Sequence, residues 1–311
     1  MKNVNVAAVQ FTKESVRGTK NAARIMLKDT RDVLDSLRGY GLDLVVFSEG
    51  VGSVGQTPET AEAVDDPGPF LKTYCNWAAE ERCHVAGSIM LREDGRVCNS
   101  TAFIGPSGTV LGVYRKANLT DGEIEAGIIT GDGAVVVDTA IGRLGGIICF
   151  DLNFEWLRHQ YRALKPDILT FGSLYHGGLA QHIWAYDCRS FFVGACQFFG
   201  SGILDPFGRT VKATDCYTSV ARATINLDRV MVHMDYNRDK LPEIEKKYRG
   251  SVVIDVPANI GSALIYSTSE SMSAMDVVRE FDLKLLDDYF AEAAESNARN
   301  RRPGRAAGKR V

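Results

Sequence analysis

The chain has 311 residues, 45% hydrophobic and 24% charged, the balance of a soluble globular protein with core enough for one large domain or two ordinary ones. A formal net charge of −3 argues against a nucleic-acid or membrane-surface binder. The 7 cysteines, at positions 75, 83, 98, 149, 188, 196 and 216, contain no Cys-x-x-Cys, which excludes the usual zinc and thioredoxin spacings.

In chain order, Val4 to Val9 alternates and is rich in valine, predicting a first strand. A helix follows, with Ala22, Met26, Val33 and Leu37 on one face and Gly39 and Gly41 ending it. The apolar run Leu42-Asp43-Leu44-Val45-Val46-Phe47 predicts a strand buried on both faces. Four glycines, two prolines and several acids mark 50–68 as a long surface loop. Phe70 to Arg82 resumes a helical pattern, and strands are expected near 84–91, 98–104 and 110–115, separated by Glu93-Asp94-Gly95 and Pro106-Ser107-Gly108. The second half repeats the theme: strands near 134–138 and 143–148, a helix at 153–164, a strand at 167–171, a helix around 180–190, then strands at 191–197, 201–205, 209–214 and 217–225. The stretch 231–260 reads as irregular and 275–294 as helical, a C-terminal piece suited to reach over a partner subunit.

Two similar α/β halves predict one domain over 1–296, with an extension from about 231, built of two packed sheets with helices outside. Beyond it, 297–311 carries Arg299, Arg301, Arg302, Arg305, Lys309 and Arg310 and no acid. Taking those six cations from the net −3 leaves −9 on the body. Pro303, Gly304 and Gly308 favour a solvated, disordered tail over a nucleic-acid contact. Lys2 leads straight into Val4-Asn5-Val6, so no secretory signal is read. No run approaches the ~18 apolar residues of a membrane helix. A reduced, cytoplasmic setting is expected.

Gly50-Val51-Gly52-Ser53-Val54-Gly55 matches G-x-G-x-x-G after a strand, but Gln56-Thr57-Pro58-Glu59 follows where a phosphate-binding helix should open. A loop is the better account, and neither G-x-S-x-G nor a P-loop occurs. Three strand ends carry stronger signals. Leu44-Val45-Val46-Phe47-Ser48-Glu49 ends in a carboxylate, Val110-Leu111-Gly112-Val113-Tyr114-Arg115-Lys116 in an amine, and Gly145-Gly146-Ile147-Ile148-Cys149 in a thiol. Carboxyl ends of strands open onto the crevice where α/β proteins bind ligands. Singly, each has an ordinary explanation: a buried small hydrophobe for the cysteine, a first solvated residue for the charges.

Together they resemble the nitrilase superfamily of carbon–nitrogen hydrolases, in its amidase-like branch, whose catalytic set is Glu, Lys and Cys in that order. The resemblance extends to Val6-Ala7-x-Val9-Gln10, to Gly95-Arg96-x-x-Asn99 with Gly108 and Tyr114-Arg115-Lys116, to Asp138-Thr139-x-Ile141-Gly142-Arg143-Leu144-Gly145-x-Ile147-Ile148-Cys149-Phe150-Asp151, and to Asp205-Pro206-Phe207-Gly208. It covers most of residues 4–225 and implies an αββα sandwich that pairs into dimers or larger homo-oligomers across helices. It also implies Cys149 as nucleophile, Glu49 as general base and Lys116 as oxyanion stabiliser. For the family's second glutamate, Glu125-Ala126-Gly127-Ile128-Ile129-Thr130-Gly131 matches the order Glu-x-x, two bulky apolar residues, then Thr-Pro-Gly, without the proline. That register places Glu125 inward and leaves Glu123 as a solvated loop charge.

The roles are chemically coherent. A thiol of ordinary pKa, about 8.5, needs activation at neutral pH, which a neighbouring ammonium and carboxylate supply. Attack on an amide develops an oxyanion that Lys116 and the backbone N–H of Phe150 are expected to hold, each donor worth roughly 2.7–4 kcal/mol. No metal or organic cofactor is required. Amide-acting members often read Cys-Tyr-Asp-x-Arg-Phe-Pro-Glu after the nucleophile and true nitrilases Cys-Trp-Glu, whereas this chain reads Cys149-Phe150-Asp151-Leu152-Asn153-Phe154-Glu155. Leu152 and Asn153 cannot grip a carboxylate as an arginine does, so amides are expected over nitriles and N-carbamoyl compounds. Ser173, Tyr175 and His176 should emerge beside the nucleophile, with His182 and Trp184 behind; Phe150, Tyr175 and His176 are the substrate-binding candidates. His84 and His233 read as structural, and Cys83-His84 lacks partners at metal-ligand spacing. The expected partners are a small-molecule substrate and further copies of the chain, with no membrane and no nucleic acid. Rival readings are acyl transfer to an amine, a non-catalytic metabolite-binding member of the fold, and a peroxide sensor that would need an accessible resolving cysteine.

Overall fold

The computed structural model describes residues 2–11, 16, 18–54 and 58–301. They form two compact units, Val4–Ile225 and residues 226–301 with residues 2 and 3. The first runs through β1 (Asn3–Val9), α1 (Ala22–Ser36), β2 (Leu44–Phe47), α2 (Pro69–Glu81), β3 (His84–Glu93), β4 (Arg96–Ile104), β5 (Val110–Arg115) and α3 (Asp121–Glu125). It continues through β6 (Val136–Thr139), β7 (Gly142–Ile148), α4 (Glu155–Leu164), β8 (Ile168–Ser173), α5 (Leu179–Cys188), β9 (Phe191–Cys196), β10 (Gly202–Leu204), β11 (Thr210–Ala213) and β12 (Val220–Asn226). Two six-stranded sheets result, in the orders β12-β1-β2-β3-β4-β5 and β11-β10-β9-β8-β7-β6.

Packing at adjacent glycines shows the layer order. A Cβ on Gly145 would stand 2.8 Å from the ring of Tyr161 on α4, whereas one on Gly146 would stand 2.6 Å from Cβ of Tyr114 on β5. Successive strand residues face opposite ways, so one face of β7 meets a helix and the other meets the opposing sheet. Helix, sheet, sheet and helix therefore stack as the αββα sandwich expected above. β2 lies parallel between β1 and β3 with all four residues buried, which explains its unbroken apolar run.

The 50–68 segment departs from a plain surface loop. Val51, Val54 and Ala61 are buried, and buried Glu62 accepts the N–H groups of Phe70 and Leu71, both at 2.8 Å. Its carboxylate thus caps α2, whose first residue is a proline and whose preceding Gly68 has no side chain to serve. Gly55, last residue of the glycine motif, lies outside the described residues; Ser53 and Val54 close a turn on the Gly50 carbonyl.

The second unit holds β13 (Arg229–His233), α6 (Leu241–Tyr248), β14 (Val252–Asp255), β15 (Ser262–Ser267), α7 (Ala274–Glu280) and α8 (Leu286–Asn300), its sheet ordered β13-β15-β14. Strands of four or five residues sit where the sequence reads as irregular, too short to show a period. The helix expected over 275–294 is two helices, broken where Asp282 takes φ 48°. Helix α8 reaches Asn300, so the start of the expected basic tail is helical, and 302–311 lie outside the described residues. Among the described residues no helix is long and apolar enough to cross a membrane.

Candidate active site

The sandwich brings the three strand ends together. Glu49 lies just past β2 and Lys116 just past β5, both in the first sheet; Cys149 follows β7 in the second. Tyr114 and Lys116, two residues apart, share the face of β5 turned toward the second sheet. Gly172 on β8 admits the end of β2: a Cβ there would stand 3.0 Å from the Phe47 carbonyl oxygen and 3.3 Å from the Glu49 nitrogen. Only 1% of Lys116 and 4% of Glu49 is exposed, so both charges depend on partners for their solvation.

Those partners form a closed network. Lys116 Nζ donates to Glu49 Oε1 at 2.9 Å and to Glu123 Oε1 and Oε2 at 3.0 and 2.9 Å. Asn99 Nδ2 donates to Glu49 Oε1 and to Glu123 Oε1, both at 2.8 Å. The backbone N–H of Leu174 reaches Glu49 Oε2 at 3.2 Å, and Gln197 Nε2 reaches the Glu49 carbonyl at 3.2 Å. Burial alone would lower the Lys116 pKa, but Glu49, Cys149 and Glu123 outweigh it and hold the ammonium charged. For Glu123 burial pulls upward and is outweighed by the bonds from Asn99 and Lys116, leaving it below the usual carboxylate range.

Cys149 sits at φ 47° at the head of a 3-10 turn, Cys149–Asn153. A non-glycine residue in the left-handed region is strained, and here the turn lifts the thiol off the strand toward the carboxylate. Its pKa is pushed up to about 12, by burial first and then by Glu49, against the opposing pull of Lys116 and a hydrogen bond from Ser173. Burial and the Glu49 carboxylate, to which the thiol hydrogen-bonds, thus favour its neutral form. Fully buried Asp151 ties the turn to the lysine loop: it accepts from Tyr114 Oη at 2.7 Å, Ile148 N at 3.0 Å, Asn118 N at 2.7 Å and Asn118 Nδ2 at 2.9 Å. Burial still raises its pKa to about 6 despite these four donors.

The expected second glutamate is corrected. Glu123, not Glu125, meets Lys116; Glu125 is exposed on the far side of α3. The helix decides the register, because two residues along it turn the side chain by about 200°. Thr120 precedes α3, and Glu123, its third residue, accepts from the Thr120 N–H at 2.9 Å and hydroxyl at 3.0 Å. Thr120-Asp121-Gly122-Glu123 is the S/T-x-x-E signature of a helix start, a signal present in the sequence that outweighs a motif lacking its proline. Glu123→Gln is accordingly expected to lower kcat by ~10-fold or more, whereas Glu125→Gln leaves it near wild type; steady-state rates of the two variants decide between the registers.

Of the substrate-binding candidates, Phe150 stands next to the thiol, 37% exposed and edge-on to Phe154 at 5.1 Å. Its N–H lies in the first turn, where helical donors lack partners within the turn. Tyr175 has its phenolic oxygen buried and its pKa raised, by burial first and then by Cys149. His176 is exposed; its ring stacks on Phe199 at 5.2 Å and meets Tyr175 at 5.9 Å, and it borders a separate cavity of about 220 Å³ with Gln181, His182 and Gly200. Trp184 is core, donating to the Leu152 carbonyl beneath the turn at 2.9 Å. Cys196, at the end of β9 and paired with Ser173, is fully buried, so it is not the accessible resolving thiol a peroxide sensor needs. Among the described residues no cluster of three or more His, Cys, Asp or Glu is placed to hold a metal ion. Among the residues that sequence reasoning did not single out are Asn99, Asn118, Thr120 and Gln197.

The family model for carbon–nitrogen hydrolases matches residues 5–232. A hydrolase of Schizosaccharomyces pombe is 25% identical over 207 residues, 58% of this chain and 64% of its own, so the chain spans just under two thirds of that relative. The omega-amidase NIT2 of Homo sapiens is 25% identical over 216 residues, 61% of this chain and 74% of its own. Among solved structures, Nit3 of Saccharomyces cerevisiae, a member of branch 10 of the nitrilase superfamily, aligns with TM-score 0.64 at 17% identity over 83% of this chain and 96% of its own, a likeness of fold.

Proposed function

The chain belongs to the carbon–nitrogen hydrolase family, and from that premise we propose that it hydrolyses the C–N bond of a small amide through a thioester on Cys149. The observation that carries the reading is the Lys116 ammonium held at 2.9 Å from Glu49 and 2.9 Å from Glu123, beside a thiol that hydrogen-bonds Glu49. Glu49 takes the thiol proton as Sγ bonds to the amide carbon, and the carbonyl electrons move onto oxygen, where Lys116 and the Phe150 N–H hold the charge. Collapse breaks the C–N bond, and the proton on Glu49 passes to the departing ammonia or amine. Water then attacks the thioester, giving its proton to Glu49; the C–S bond breaks, the acid leaves, and the thiol recovers its proton.

Amides are favoured over nitriles because Phe150-Asp151 stands where nitrilases carry Trp-Glu. Carboxylate-bearing carbamoyl compounds are disfavoured by Leu152 and by Asn153, whose amide is turned onto the Phe150 carbonyl at 3.0 Å. Intact mass spectrometry across small amides, nitriles and carbamoyl compounds is expected to trap an acyl group on Cys149 with amides, and kcat/KM should follow the same order. A nitrile processed faster than its matched amide would overturn the assignment.

A further inference from the structure

The four carboxylate oxygens around Lys116 are unequally occupied. Glu49 Oε1 accepts from Asn99 at 2.8 Å and Lys116 at 2.9 Å; Glu123 Oε1 accepts from Asn99 at 2.8 Å and Lys116 at 3.0 Å. Glu123 Oε2 accepts from Lys116 at 2.9 Å, Thr120 N at 2.9 Å and Thr120 Oγ1 at 3.0 Å. Glu49 Oε2 takes one longer bond, from Leu174 N at 3.2 Å. Each oxygen offers about two lone pairs, so Glu49 Oε2 is the one with room to receive the thiol proton.

Thr120 makes the two glutamates unequal by filling Glu123 Oε2, and a neutral side chain on β4 joins them through their other oxygens. Asn99 is 7% exposed, and its carbonyl oxygen on the backbone accepts from Lys116 N at 2.8 Å, which locks it opposite the lysine. Ionised carboxylates only accept, so the NH₂ end of the amide must face both, one hydrogen to each. An amide adds no charge. A second cation here would neutralise the excess negative charge that keeps Glu49 basic, whereas Asn99 supplies direction alone.

We propose that Asn99 is a positioning residue: its single amide group holds Glu49 and Glu123 on either side of Lys116, with Glu49 Oε2 turned to Cys149 and Glu123 kept out of proton transfer. This rests on the amide-hydrolase reading, with Glu49 as base, and adds the division of labour between the carboxylates. The charged or titratable groups facing the amide are Glu49, Lys116 and Glu123, with Cys149 and Tyr175 beside Glu49.

The test is made on the full chain with Asn99→Ala and Asn99→Ser, because a hydroxyl has one hydrogen to give instead of two. Iodoacetamide labelling followed by peptide mass spectrometry reads the Cys149 rate from pH 6 to 9 without any substrate, and exposed Cys216 serves as internal control. Asn99→Ala is expected to slow Cys149 labelling by ~10-fold or more across pH 6 to 9, because Glu49 loses its orientation toward the thiol, and to leave Cys216 unchanged; the serine variant falls between. On an amide that the wild type turns over, kcat falls by ~10²-fold while KM changes little. A merely structural role would lower Tm and leave the Cys149 profile superimposable on wild type, and that result in either folded variant overturns the proposal. If no amide is turned over but labelling slows as stated, the substrate reading falls and the role of Asn99 stands.

Discussion

Cys149→Ala is expected to abolish turnover, a loss on the order of 10⁴-fold or more, and to leave the fold intact. Alanine carries the same Cβ as cysteine, so the left-handed backbone is no more strained than before and the turn and its ties through Asp151 persist. No acyl adduct should appear in the mass spectrum of the variant on any amide. Because burial and Glu49 push the thiol up to about 12, the mechanism proposed above starts from a neutral thiol that hands its proton to Glu49 during attack. The sign follows from that: with the folded thiol protonated throughout pH 7 to 9, kcat/KM should be flat there and show no rise near the ordinary thiol range of about 8.5. A variant that retains full activity, or a wild-type profile that climbs through that range as a free thiol would, removes Cys149 from the role assigned to it.

Glu49→Gln and Lys116→Ala carry the second large effect, each lowering kcat by ~10² or more. Glutamine keeps the bonds from Asn99 and Lys116 in shape but cannot take a proton. It also removes the carboxylate that raises the thiol, so residual activity should increase with pH up to the lowered thiol pKa while the wild type stays flat. Lys116→Ala leaves one buried and one half-buried carboxylate without their shared cation, and a drop in Tm should accompany the loss of rate. Since the residues act as one unit, the double variant should be scarcely worse than either single. Additive losses would mean that the two groups work on separate steps.

The legibility of these features in the sequence follows physical scale. Strands buried on both faces, such as Leu44–Phe47, betray themselves by unbroken apolar runs, and the Gly145-Gly146 pair marks the point where one strand is pressed from two sides by Tyr161 and Tyr114. The strand ends at Glu49, Lys116 and Cys149 are each ordinary alone and legible only as a set, through the order Glu, Lys, Cys and the motifs around it. The sequence ranks Glu125 above Glu123 because a five-residue helix has no hydrophobic period, and only its Thr120 capping pattern records where it begins. Asn99 escaped because its role is made by two acids from distant segments, one 50 residues before it and one 24 after. The break between α7 and α8 was hidden by Asp282, an acid in a helix-compatible run whose left-handed backbone only the three-dimensional structure reveals.

The division of the reacting groups between the sheets has a kinetic consequence. Glu49 is joined to Lys116 across 67 residues of chain and to Leu174 across 125, and neither sheet alone holds both Glu49 and Cys149. Contacts at such separations close late, after the entropy of long loops has been overcome. A refolding chain should therefore regain native-like helix and strand signals before it regains any catalytic competence. Activity becomes the last observable to return, and a nascent or partly denatured molecule carries a thiol of ordinary pKa that lacks the ammonium and carboxylate needed to act on an amide before the two sheets have met.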